Sequence, residues 1–263
     1  MSIFKKKKGT LKILNRYEKD GVSSTLYVDA NNVDSSHIRE DIIVAILVPS
    51  IDGMLHYSIL QLWTQVVLKV GYLIYVGAEN TYLNYSRNKL VDNANQIAAE
   101  GLNKLPDYYL FLDQDSVVRP DLFDKLKAKL DKHKIDIVSA DYIRKTGWNP
   151  VWTPAEYFTT WHEKWKYKRG DLIEIVTTGA GALLVRGGVL RKIDPPWFKV
   201  ESDNRAFIGE DSYFCRLCRK HGYKVYVATD ITIGHKGAVV YPSDWEQRHR
   251  KLRPPGQGGD TDG

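Results

Sequence analysis

The sequence predicts an α/β domain: a mostly parallel sheet with helices on both faces, followed by a smaller antiparallel region. Three observations carry this expectation. Short apolar runs alternate with helix-periodic segments between about residue 40 and residue 140, the order that builds parallel sheets from strand–helix–strand units. The runs are apolar throughout and do not alternate, as in strands covered on both faces. Polar and acidic clusters follow the runs, at the carboxyl ends of strands where such sheets bind ligands.

Ile42–Pro49 is the first such strand, stopped by Pro49 and Ser50. Leu55, Ile59, Leu62, Trp63 and Val66 then recur at helical spacing. Tyr72–Val76 is a second strand. Ser86 is placed to cap a helix whose buried stripe is Leu90, Val91, Ala94, Ile97 and Ala98, with Gly101 as its stop. Tyr108–Leu112 is a third strand, closed by Asp113-Gln114-Asp115. Pro120 suits a first helical turn ahead of Leu122, Phe123, Leu126 and Leu130. Ile135–Ala140 is a fourth strand.

The pattern changes after Tyr142. Residues 145–170 show no period but hold Trp148, Trp152, Trp161 and Trp165. A long aperiodic stretch of this kind is functional or disordered, and the aromatics favour the former. Next come a strand, Leu172–Thr177, a small-residue turn, Thr178-Gly179-Ala180-Gly181, and a strand, Ala182–Arg186. Glu210–His221 is a helix with Phe214, Leu217 and Cys218 inward. Lys224–Ala228 and Ile231–Ile233 are strands, and His235 follows them.

Composition bounds the rest. With 263 residues, 43% hydrophobic and 27% charged, the chain can bury a core of its own, which excludes wholesale disorder and fibrous classes. Its longest apolar run, Ile42 to Val48, is far short of the ~20 residues that span a bilayer. The basic run Lys5–Lys8 has no apolar stretch after it, so no signal peptide is read and a cytoplasmic location is expected. Cys215 and Cys218 cannot form a disulfide framework, and they are expected to be buried and inert. Thirty-eight basic against thirty-two acidic residues give a net charge of +6, which suits anionic partners without requiring them.

Asp113 and Asp115 are the strongest chemical signal. A buried strand delivers two carboxylates at its carboxyl end, and their repulsion is relieved by a divalent cation with oxygen ligands, Mg²⁺ or Mn²⁺. The alternative is a solvated turn with Asp115 near the next helix's positive end. His235, between Gly234 and Lys236 near Gly237, is a further candidate ligand, and an imidazole tilts the choice toward Mn²⁺. Lys236 meets a phosphate or is simply solvated.

Glu210 and Asp211 open a helix, where the dipole alone accounts for acidic residues; the functional alternative is a general base on an acceptor hydroxyl. Arg87 is placed to hold a phosphate or an acidic partner. Pro49, Ser50 and Asp52 lie where a nucleotide would rest. Gly179 with Gly181 either lets a substrate approach the main chain or turns a hairpin corner.

In combination, these segments resemble a family. Val48-Pro49-Ser50, then Ser86-Arg87-Asn88, then Leu112-Asp113-Gln114-Asp115 resembles the nucleotide-binding half of GT-A glycosyltransferases, whose fold is Rossmann-like. Residues 178–186 look like their small-residue strand, Gly209–Cys215 like their acidic acceptor-side motif, and His235 falls where many place a metal-binding histidine. The likeness covers roughly residues 40 to 240 and is of the family 2 kind.

The resemblance implies metal-dependent transfer of a sugar from a nucleotide-sugar, a UDP-sugar ahead of a GDP-sugar, to an acceptor hydroxyl. It implies Asp115, Asp113 and His235 as ligands of Mn²⁺ or Mg²⁺, with Asp113 on the ion or the donor's ribose. Pro49, Ser50 and Asp52 would line the nucleoside pocket, Gly179 and Ala180 would flank the donor sugar, and Arg87 and Lys236 would offset diphosphate charge. Asp211 would be the base of an inverting enzyme, with Glu210 orienting a sugar or the acceptor. The expected organisation is a peripheral segment over 1–38, one GT-A domain over 39–245 divided near residue 142 into nucleotide-binding and acceptor halves, and a disordered tail over 250–263.

Other classes compete. A nucleotidyltransferase also pairs carboxylates with a metal but wants a glycine- and basic-rich first loop, and here only Pro-Ser-Ile-Asp-Gly follows Val48. A nucleic-acid-binding module is suggested by Trp161–Arg169 together with Lys5–Lys8 and Arg248–Arg253. The acceptor is therefore expected to be a glycan, a lipid-linked sugar, or a hydroxylated base of modified DNA extruded from its duplex.

Overall fold

The computed structural model describes residues 13–17, 24–29, 40–50, 55–79, 82–144, 150–155, 167–203, 206–236 and 241–242. In chain order the elements are β1 (Ile13–Tyr17), β2 (Ser24–Asp29), β3 (Glu40–Ser50), α1 (Tyr57–Val67), β4 (Val70–Glu79), α2 (Leu83–Leu102), β5 (Tyr108–Leu112), β6 (Ser116–Val117), α3 (Leu122–His133) and β7 (Ile137–Asp141). They continue with β8 (Thr153–Pro154), β9 (Leu172–Thr177), β10 (Ala182–Arg186), α4 (Gly187–Lys192), β11 (Glu201–Asp203), β12 (Ala206–Ile208), α5 (Glu210–Lys220), β13 (Val225–Thr232), β14 (Gly234–His235) and β15 (Tyr241–Pro242).

Ten strands form one sheet in the order β1-β2-β4-β3-β5-β10-β7-β13-β9-β8. β4, β3 and β5 run parallel, as do β7 and β13. The α/β fold with a mostly parallel centre is therefore as expected. Neighbour order is not what strand succession suggests: β10 lies antiparallel between β5 and β7. Its apolar run Ala182–Val185 is buried between those neighbours, which satisfies its backbone on both edges. β9 and β10 do not pair with each other, so the turn at 178–181 is a crossing and not a hairpin corner.

Alternation along β3 places the helices. Ile43, Ala45 and Leu47 join the core under α2 and α5, whereas Val44, Ile46 and Val48 join the core under α1 and α3. A strand's side chains point to opposite faces in turn, so one apolar run seeds both layers. Each fully buried branched side chain there contributes roughly 1.5–3 kcal/mol.

Helix ends depart from expectation. α2 begins at Leu83, so Ser86 is not its cap but lies buried within it. It ends beyond Gly101, at Asn103, whose φ of 53° is left-handed; asparagine tolerates that conformation. α3 ends likewise at Lys134, with φ 54°. The two late strands are one, β13, with a register shift between Ala228 and Thr232.

β1 and β2 extend the sheet edge beyond β4. The stretch 145–170 contributes β8, which pairs with β9; Trp148, Trp161 and Trp165 lie outside the described residues, as do Lys5–Lys8 and 243–263. Cys215 and Cys218 are buried and free, and burial pushes the Cys215 thiol up to about 11. No helix among the described residues is long and apolar enough to cross a membrane.

Candidate active site

β5 is buried along its whole length and releases the chain at Asp113. A tight turn follows, with Ser116 N–H donating to the Asp113 carbonyl (3.0 Å). β6 then pairs with β14, with Gly234 opposite Val117 and His235 opposite Ser116. Lys236 N–H donates to the Asp115 carbonyl at 2.8 Å. This short ladder brings a residue from the chain's last third beside the turn after β5.

One ligand atom from each of Asp113, Asp115 and His235 can be chosen so that all lie within 4.8 Å of one another. His235 Nε2 is 3.5 Å from Asp115 Oδ1, and its Nδ1 faces the Ile143 carbonyl at 3.3 Å. A carbonyl only accepts, so the ring proton belongs on Nδ1 and the Nε2 lone pair points at the carboxylates. A second partner that orients an imidazole in this way is what metal-binding histidines have. Two hard oxygen donors with one imidazole fit Mn²⁺ or a similar divalent ion.

A second cluster adjoins the first. The guanidinium of Arg87, whose side chain is 2% exposed, pairs with Asp113 (2.6 Å), Glu210 (3.3 Å) and Asp211. The sequence left Arg87 between a phosphate and an acidic partner, and its described partners are carboxylates. α2 supplies this cation and the first turn of α5 supplies both acids. Three carboxylates thus share one buried cation, with Asp115 close by, and the excess negative charge is what a divalent ion offsets.

The small-residue turn has a definite neighbour. Gly181 N–H donates to the Tyr142 hydroxyl at 2.9 Å. A Cβ on Gly181 would stand 2.9 Å from that hydroxyl and 3.0 Å from Asp113 Oδ2, and one on Gly179 would strike the same hydroxyl and come within 2.8 Å of Val151. Both positions therefore need glycine because Tyr142 is there. Ala180 is buried in the core. Burial, with help from Asp113, pushes the Tyr142 hydroxyl far above its ordinary value, so it stays protonated. The Tyr142 ring meets His235 edge-on at 5.6 Å.

Pro49 and Ser50 end β3 beside Ala78 and Glu79 of β4. Ser50 Oγ is buried and has no hydrogen-bond partner among the described residues. Asp52 lies outside them. Lys236 is exposed, and after burial its charge is the second cause that holds His56 below its ordinary value.

Sequence reasoning missed Tyr142, Asp141, Phe198 and the role of Asn88. Asp141 is 3% exposed; it accepts from the Trp152 indole N–H (2.7 Å) and faces the Tyr167 hydroxyl (3.4 Å). A carboxylate ending a buried strand was the available signal, and Asp141 shares it with Asp113.

The sheet, with an acidic cluster at its carboxyl edge, is consistent with the GT-A fold. The comparisons agree. Residues 108–253, more than half of the chain, match the family model described as "Glycosyl transferase family group 2". The chain belongs to that family and is a glycosyltransferase. A solved structure titled "Crystal Structure of A197 from STIV" shares the fold, with TM-score 0.54 and 21% identity over 74% of this chain and 86% of that chain. Among curated proteins none matches.

Proposed function

We propose that the enzyme moves a sugar from a nucleoside diphosphate donor, a UDP-sugar ahead of a GDP-sugar, to an acceptor hydroxyl, and that a divalent ion, Mn²⁺ ahead of Mg²⁺, is required. The observation that carries this is the convergence of Asp113, Asp115 and His235 within 4.8 Å at the edge where the parallel strands end. Such an ion supplies Lewis-acid stabilisation of the departing diphosphate.

The chain's own residues do the rest. Asp115 and His235 hold the ion, and Asp113 is shared between it and Arg87. Pro49 and Ser50 line the nucleoside pocket, and Ser50 Oγ, which has no partner among the described residues, is a hydrogen-bonding group for the ligand. Lys236 projects charge toward the diphosphate. Asp211 takes the proton from the acceptor hydroxyl, and Glu210 orients the sugar or acceptor. Arg87 keeps both acids in place. Gly179 and Ala180 flank the donor sugar, with the Tyr142 hydroxyl filling the space a side chain at Gly179 would need.

The test is calorimetric titration of UDP- and GDP-sugars with and without Mn²⁺, followed by mass spectrometry of candidate saccharide, lipid-linked and hydroxylated-DNA acceptors. Mn²⁺-dependent binding of a UDP-sugar is expected. Equal binding in excess chelator would overturn the metal's role.

A further inference from the structure

Phe198 sits where three site-bearing elements meet. Its ring stacks on Phe214 of α5 (centroids 4.8 Å apart, 12° between planes) and meets Phe111 of β5 edge-on at 5.2 Å. Phe214 lies one turn after Glu210, and Phe111 lies two residues before Asp113. On a further side, the Arg87 guanidinium carbon is 5.7 Å from the Phe198 ring centroid. One buried ring thus touches the cation and both elements that carry the cation's carboxylates.

The ring is itself fixed from α2. Asn88 Oδ1 accepts from the backbone N–H groups of Trp197 (2.8 Å) and Phe198 (3.1 Å). Its Nδ2 donates to the Phe198 carbonyl (2.6 Å) and to the Asn84 carbonyl (2.8 Å). One side-chain amide therefore satisfies both polar groups of Phe198's backbone, a pattern that a carboxylate or an aliphatic side chain cannot supply.

We propose that Asn88 and Phe198 are positioning residues: Asn88 clamps the 197–198 backbone, and the Phe198 ring holds Arg87 square to Asp113 and Asp211. The physical reason is that Arg87 is buried, its Nε has no hydrogen-bond partner among the described residues, and a guanidinium rests favourably on an aromatic face. Without that face the fork can rotate, and the distance between the ion's aspartate and the base is no longer set. This rests on the roles assigned above to Asp113 and Asp211, but its first readout does not need them.

The experiment is ¹⁵N NMR of the Arg87 side chain in the full-length protein, the resonance being assigned by its loss in Arg87→Lys. Separate, slowly exchanging Nη–H signals are expected in the wild type. Phe198→Leu and Asn88→Ala should each speed guanidinium rotation roughly tenfold, whereas Phe198→Tyr, which keeps the ring face, should restore the wild-type pattern. Leu126→Ala, in the opposite core, should lower stability and leave the Arg87 signals alone.

Mn²⁺–UDP affinity, by calorimetry, should fall in Phe198→Leu as well, because Arg87 pairs with Asp113, one of the residues assigned to the ion. Unchanged Arg87 signals in folded Phe198→Leu, or in Asn88→Ala if the former does not fold, would overturn the proposal. Absence of Mn²⁺–UDP binding by the wild type would instead overturn the donor assignment and leave the NMR result to stand alone.

Discussion

His235 lies beside Asp115, Nε2 to Oδ1 3.5 Å, because β14 pairs with β6 in the register that sets His235 opposite Ser116. Neither β14 nor β6 exceeds two residues, and the Lys236 N–H bond to the Asp115 carbonyl and the Ile143 carbonyl on His235 Nδ1 add to that short ladder. Removing either ligand should abolish Mn²⁺-dependent donor binding while the fold persists. His235→Ala and Asp115→Ala are each expected to lower turnover by at least ~100-fold, measured as nucleoside diphosphate release with and without chelator.

Arg87→Met leaves Asp113, Glu210 and Asp211 facing one another without their buried counter-charge. A broken buried ion pair costs about 3–5 kcal/mol, and the partly exposed carboxylates place this case toward the lower end. Urea denaturation of the variant should show that loss. Arg87→Lys should recover only part of it, since a point charge cannot pair three carboxylates through a planar fork.

Gly181→Ala drives a methyl group toward the Tyr142 hydroxyl and Asp113 Oδ2. Tyr142 and Asp113 must both give way, so Mn²⁺ affinity should fall about tenfold or more, with a loss of stability beside it. Gly179→Ala meets Tyr142 but not Asp113. It should cost stability alone, about 1–3 kcal/mol, and Tyr142→Phe should relieve part of that cost in a double-mutant cycle.

His56 titrates below its ordinary 6.5, first through burial and then through the charge of Lys236. Its Nδ1 accepts from Ser58 N–H at 3.3 Å at the start of α1, a role that protonation removes. The unfolded chain therefore takes this proton before the folded one does. Stability from this group is complete above pH 6.5 and declines as pH falls from there through the lowered folded value. Proton NMR of the His56 ring should give that midpoint, and Lys236→Ala should move it upward.

Asp141→Asn removes one of two acceptor oxygens that face the Trp152 N–H and the Tyr167 hydroxyl. An unsatisfied buried donor costs about 1–3 kcal/mol. Trp152 fluorescence should change with it, and unfolding should begin at lower urea.

The residues legible in advance were those whose signal is local. Asp113 and Asp115 end an unbroken apolar strand, and Glu210 and Asp211 open a helix after a glycine. Phe198 carried no such signal: its clamp, Asn88, is 110 residues away in sequence. Tyr142 and Gly181, 39 residues apart, likewise explain each other only after β10 has entered between β5 and β7. The alternatives left open for Arg87 could not be separated locally either, because its partners come from β5 and α5.

By itself, the order of apolar runs and acidic turns determined the α/β class, the sheet edge at which the acids gather and the identity of those acids. Those follow from burial and from short-range backbone geometry, which a linear chain displays. Only the tertiary structure decided that Arg87 serves carboxylates, that His235 reaches Asp115, and that a tyrosine dictates two glycines. Each of those depends on strand pairing across long sequence separations, where neighbour order in the sheet, and not order in the chain, sets which side chains meet.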